Sequence, residues 1–221
     1  MRTDLDTQFP QLWPKVIKNT SSEGMLHKAM ENVARSLTIL AGHPITLAGL
    51  EVETFSIDCL TALSDNCESE TVGVYLLLTD EELSGEAIII LRPDEALVLV
   101  DWLLEEPPGT TGQLDDLAIS ALAECGNQTL SSFLKTLADA IGMAQRLSPP
   151  AVVVDTMPVI FQSVALSAAT IADELLVITT DFINEESSLK VQFWLIPDVV
   201  NTATPVSVAT RQWQWDVLEI A

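Results

Sequence analysis

The sequence predicts an α+β fold in which one order of elements, helix, strand and hairpin, occurs twice and shares a single sheet. Three observations carry this. Two stretches, Met25 to Leu40 and Leu117 to Ile141, place apolar residues at three- and four-residue steps and end at Gly42 and Gly142. Two pairs of apolar runs flank short acidic turns, EELSG and INEESS, the pattern of hairpins and so of antiparallel pairing. The two halves also keep one spacing: Gly42 to Pro93 is 51 residues and Gly142 to Pro197 is 55, with the parallel endings IIILRPD and QFWLIPD. A lone hairpin cannot bury both its faces, so two such repeats are expected to close on each other as one pseudo-symmetric domain.

In order, residues 1–22, with Trp13 between Pro10 and Pro14, read as an N-terminal extension. The first helix carries Leu26, Met30, Val33, Leu37 and Leu40 on its apolar face. Residues 45–57 read as extended, DCLTALSDN as a short helix, and TVGVYLLLTD with EAIIILRP as the first hairpin. Pro93 opens a helix through Leu104, and EEPPGTTGQ reads as a linker. In the second half a long helix precedes the strand PPAVVVD, then a short helix MPVIFQSVALSAA, then the hairpin ELLVITTDF with LKVQFWLIP. The resulting division is repeat one at 23–105, repeat two at 114–200, and a tail at 201–221. In that tail Trp213, Trp215 and Val217 alternate with polar residues, like a strand with one buried face.

The totals exclude several classes of function. The 221 residues carry 32 acidic against 10 basic side chains, a formal net charge of −22, which offers no basic footprint to a nucleic acid or an anionic membrane surface. The run LVLVDWLL is short and broken by Asp101, so no membrane insertion is expected; with no visible signal peptide, the protein is expected to be cytoplasmic. Cys59, Cys67 and Cys125 form no ligand pair, and the two histidines, His27 and His43, have no partners at ligand spacing. No metal site is expected, and both histidines read as structural. Cys125 has no neighbouring base or cation and reads as a small apolar residue.

On the second long helix, at about 100° per residue, Ser120, Glu124, Asn127 and Ser131 fall within about 60° of one another. Ile119, Ala123, Leu130, Phe133, Leu134, Leu137 and Ile141 lie on another arc that can face a core. By spacing alone the polar stripe is either the solvated side of an amphipathic helix or a surface that reaches a partner.

SALAECGN, with Pro150 following Asn127 after 22 residues, resembles the signature of the CheC/CheX/FliY phosphatases of chemotaxis, and Ser120, Glu124, Asn127 and Pro150 match it. The resemblance covers roughly residues 23–200. It implies a duplicated, CheC-like pseudo-two-fold fold with two long helices packed on a mainly antiparallel sheet. It also implies a partner, the phosphorylated form of a CheY-like receiver domain, and a reaction, hydrolysis of its aspartyl phosphate.

That reaction asks little of this chain. A mixed anhydride is labile, and the receiver's own Mg²⁺ and Lys offset charge on the phosphoryl group, so no cofactor of the chain's own is needed. The Asn127 carboxamide both donates and accepts hydrogen bonds without titrating, which suits it to hold a water in line with phosphorus. Glu124 is implied to ion-pair with the receiver's active-site Lys. Ser120 and Ser131 either touch the partner or complete the stripe. Pro150 shapes the turn into AVVVD, beside the partner surface.

Aligning the first helix on Gly42 puts Gly24 at the place of Glu124 and His27 at that of Asn127, so a single centre is expected. The resemblance equally allows a non-catalytic interaction module, docking a CheD-type protein or a response regulator, or a paralogue of the flagellar-switch middle domain.

Overall fold

In a computed structural model of the chain, residues 24–56, 69–78, 85–141, 147–160, 174–187 and 189–197 are described. The N-terminal extension, the expected short helix in DCLTALSDN and the 201–221 tail lie outside them.

Helix α1 (Met25–Ala41) buries Leu26, Met30, Val33 and Leu37, as its periodicity requires, and stops at Gly42, whose φ of 67° is left-handed. Strand β1 (Thr46–Ser56) follows, then the hairpin β2 (Glu70–Leu78) and β3 (Gly85–Leu91). Helix α2 (Pro93–Leu103) starts on Pro93, with Glu95 accepting a hydrogen bond from the Arg92 N–H at 3.0 Å. Helix α3 (Asp116–Ile141) precedes β4 (Ala151–Thr156) and the hairpin β5 (Glu174–Asn184) and β6 (Leu189–Pro197). The segment beginning MPVI makes a helical turn at 157–160; its remainder is outside the described residues.

The six strands form one sheet in the order β1-β5-β6-β3-β2-β4, every neighbouring pair antiparallel. The mixed helix and antiparallel-sheet class expected from the two hairpins is the one found. One sheet face packs against the helices: Val72, Val74, Ile89, Phe193 and Leu195 join Leu26, Met30, Phe133 and Leu137 in one apolar cluster. Ile88, Trp194 and Ile196 alternate with these residues and are buried too. On β2, Tyr75 donates from its hydroxyl to the Ile160 carbonyl at 3.0 Å. Burial on both faces is why β3 and β6 read as near-continuous apolar runs instead of alternating ones.

The segment read as a linker is an ordered loop. Buried Asp101 on α2 accepts backbone N–H groups from Gly109 at 2.6 Å, Thr110 at 3.2 Å and Thr111 at 2.8 Å. Hydrogen bonding from the Thr111 side chain and these N–H groups holds the carboxyl below the ordinary aspartate range, against the burial that pushes it up. The native state therefore prefers the charged form. Its stabilising contribution is complete above about pH 4 and is lost as the pH falls through the lowered native value. Glu95 acts with the opposite sign, because burial raises it. Asp101→Asn is expected to lower stability at pH 7 by about 2 kcal/mol. The difference from wild type should shrink on acidification, as read by urea denaturation from pH 7 to pH 3.

Candidate functional site

The site is built on the middle of α3, and Gly126 sets its orientation. A Cβ at that position would stand 2.6 Å from Val74 Cγ1 and 3.4 Å from Leu76 Cδ1, so only glycine lets the helix lie this close to β2. Glu124 and Gln128 are each two residues away, about 200° round the helix, and so point away from the sheet. Asn127, about 100° round, flanks the contact.

Burial follows this geometry. Ser120, Glu124 and Ser131 are exposed, and Asn127 is half-buried. The buried face is rotated from the expected arc: Ala118, Leu122, Cys125 and Thr129 are buried with Leu130, Phe133, Leu134 and Leu137, whereas Ile119 and Ala123 are only half-buried. The reason is that α3 packs on α1 as well as on the sheet. Asn32 of α1 donates to Thr136 Oγ1 at 2.9 Å, and Ser132 Oγ donates to the Asn32 carbonyl at 3.3 Å. A helix with two packing partners buries a wider arc than one lying on a sheet alone.

Gln128 Nε2 donates to Glu124 Oε1 at 2.7 Å, steadying the carboxylate along the helix. The Asn127 carboxamide makes no hydrogen bond among the described residues. Cys125, next to Glu124, is buried, and burial pushes its thiol up to about 12. It stays protonated at neutral pH and is no nucleophile. Buried Thr129 returns its hydroxyl to the Cys125 carbonyl at 2.7 Å.

Pro150 is half-buried at the head of β4. Ser148 ties that turn to β2: its N–H donates to the Leu77 carbonyl at 2.9 Å, and the Leu77 N–H donates to its hydroxyl at 2.9 Å. Strand β4 begins with Ala151 opposite Tyr75, between the two β2 residues that lie under Gly126. Pro150 thus leads into the edge strand β4, beside β2, the strand on which the middle of α3 rests.

The histidines lie elsewhere. His43 stacks on Trp102 with ring centroids 4.1 Å apart, and His27 sits 3.6 Å from Glu31 on α1. Among the described residues, no group of three or more His, Cys, Asp and Glu side chains is placed to hold a metal, and no helix is long and apolar enough to cross a membrane.

Two features of the site were missed at the sequence level. Gln128 lies four residues after Glu124, the spacing that pairs side chains on a helix. Gly126 is a glycine in a helix interior with no capping role, which is the mark of close backbone approach.

No protein-family model matches the chain. Solved structures share its fold. FliY from Thermotoga maritima is 22% identical with a TM-score of 0.56, over 76% of this chain and 83% of that one. The chemotaxis protein CheX from Vibrio vulnificus is 12% identical with a TM-score of 0.52, over 78% and 97%. The middle domain of FliM from Vibrio alginolyticus is 11% identical with a TM-score of 0.52, over 80% and 95%. The resemblance carried by the Ser120–Pro150 signature is thus matched by a fold shared with CheX and FliY proteins.

Proposed function

We propose that this chain, which has the fold of the CheX and FliY chemotaxis proteins, is a phosphatase for the aspartyl phosphate of a CheY-like response regulator. The observation that carries the proposal is the Glu124–Asn127 pair: an exposed carboxylate and a half-buried carboxamide that makes no hydrogen bond among the described residues, three residues apart on one helix. In this reading Glu124 grips the receiver's active-site Lys. Asn127 holds a water in line with the phosphorus. The water oxygen bonds to phosphorus as the bond to the aspartyl oxygen breaks, and the water's protons pass to the departing phosphate and solvent. The receiver supplies the Mg²⁺ that steadies the phosphoryl oxygens. Positioning one water at about 2.7 kcal/mol off the barrier gives about 100-fold. Ser120 and Ser131 border the docking surface, and Pro150 sets the loop beside it.

Charge reversal tests the docking role. Glu124→Lys places like charges together in the complex and is expected to raise the KM for the phosphorylated receiver about tenfold, with the melting temperature unchanged because Glu124 is exposed. An unaltered KM would overturn that role.

The strand order supports a duplicated, pseudo-two-fold architecture for residues 23–200, with repeats at 23–105 and 114–200. Exchanging β1 with β4, β2 with β5 and β3 with β6 turns β1-β5-β6-β3-β2-β4 into its own reverse. With Gly24 and His27 at the places of Glu124 and Asn127, the first repeat lacks the pair, and the protein has one centre.

A second reading, a non-catalytic module of the flagellar switch or one docking a CheD-type protein, is favoured by the likeness to the FliM middle domain. Receiver dephosphorylation with this protein at one-twentieth of the receiver concentration separates the two. Turnover of the whole pool supports the phosphatase, and an effect limited to stoichiometric amounts supports the module.

A further inference from the structure

The row Thr179–Trp194–Ile88–Tyr75–Ala151 crosses the sheet face turned from the helices, each residue opposite the next. Burial holds along this row and then fails toward β4: Trp194 and Ile88 are buried, Tyr75 is half-buried and Ala151 is exposed. In the next row Val153 lies opposite Gly73, and Ile160 stands over that glycine, its Cδ1 3.5 Å from where a Cβ would be. Three apolar side chains of this corner are open to solvent: Val153 is 37% exposed, and Val159 and Leu77 are 45% exposed. On the helix side of the same strand Val154 is 41% exposed. Among the described residues, β4 pairs on one side only, with β2. An edge that is apolar on both faces, with Asp155 its only charge, templates another strand unless something covers it.

The chain carries a segment suited to that edge. Residues 211–218, RQWQWDVL, put Trp213, Trp215 and Val217 on one side of an extended backbone and Gln212, Gln214 and Asp216 on the other. A strand of that pattern calls for one apolar neighbour and one wet side. Its reach is sufficient. Pro197, the last residue of β6, lies opposite Gly85, and Gly85 lies opposite Leu78, at the end of the sheet where β4 begins. From there a place beyond β4 is four strand spacings away, about 19 Å. Residues 198–210 span about 40 Å when extended. The β1 edge is also within reach, but on this face it presents Glu51, opposite Thr179, so indole rings would meet a carboxylate there. Strand β4 presents Val153 instead.

We propose that residues 211–218 add to β4 as a further strand of the same sheet, with Trp213, Trp215 and Val217 continuing its apolar face over Val153 and Val159. The tail then closes the edge within its own chain. The assignment uses neither Glu124 nor Asn127 and stands independently of the phosphatase reading.

Hydrogen–deuterium exchange of the full chain, read by mass spectrometry on peptides covering 151–156 and 211–218, tests it. Both segments are expected to exchange slowly, and Trp213→Ser combined with Trp215→Ser should speed both about tenfold. Val153→Asp, at an exposed position, should release 211–218 in the same way, with circular dichroism and the exchange of β5 and β6 unchanged. Val159→Asp, outside the sheet, gives the same reading should Val153→Asp disturb β4. Fast exchange of 211–218 in the wild type, or slow exchange indifferent to an Asp at 153 and at 159, would overturn the proposal. So would slow exchange found only at concentrations where sedimentation shows a dimer, since that assigns the edge to a second copy.

Discussion

Asn127→Ala is expected to erase the acceleration of acyl-phosphate loss, about 100-fold, with little change in folding. The side chain is half-buried and makes no hydrogen bond among the described residues, so its removal strands no partner and should cost within about 0.5 kcal/mol of stability. Affinity for the receiver should also hold, because docking is assigned to Glu124. The outcome is therefore a loss of kcat with KM retained, which a structural defect does not produce. Asn127→Asp should be as inactive as alanine, since a carboxylate lacks the donor and repels the phosphoryl oxygens. Measuring the lifetime of a phosphorylated receiver with catalytic amounts of each variant decides the matter. Full activity in Asn127→Ala would discard the proposed chemistry.

Gly126→Val is expected to produce the largest loss of stability. A Cβ alone would meet Val74 Cγ1 at 2.6 Å, and the obstruction is a short branched side chain on a paired strand that has little room to yield. Two further methyl groups deepen the overlap, for a cost of about 3 kcal/mol and a fall in melting temperature of about 10 °C. Gly126→Ala should cost less, because alanine recovers about 1 kcal/mol of helix propensity against the overlap. Val74→Ala should rescue Gly126→Ala by more than the two single effects predict, and additive effects would show that the contact does not limit the packing. Either substitution at 126 also lifts α3 from β2, so a loss of activity out of proportion to stability would tie the orientation of the stripe to this contact.

Legibility followed the range of the interactions. The stop of α1 was readable because a left-handed residue after an apolar-periodic run is a local event, and Gly42 supplies it. Both hairpins were readable for a similar reason, since their acidic turns and apolar runs are neighbours in the chain. The rotation of α3 was not. Cys125 and Thr129 lie on the same side of α3 as Ser132 and Thr136, where α1 packs, and that packing joins residues about 100 positions apart, as Asn32 with Ser132 and Thr136. The structural role of Asp101 was not legible for a related cause. A single acid in an apolar run interrupts hydrophobicity, and only the folded loop shows that it gathers the N–H groups of residues 109–111.

By itself the sequence determined the alternation of helices and hairpins and the placing of Ser120, Glu124, Asn127 and Ser131 on one helix face. Each depends on backbone periods of 3.6 or 2 residues and on turns closed within a few residues. Tertiary structure decided the strand order, which side of α3 is covered, and the placing of β4 beside β2, the strand under Gly126. Those depend on contacts between residues as far as 140 positions apart, on the ladders that join the strands, and on a glycine that lets α3 settle onto β2.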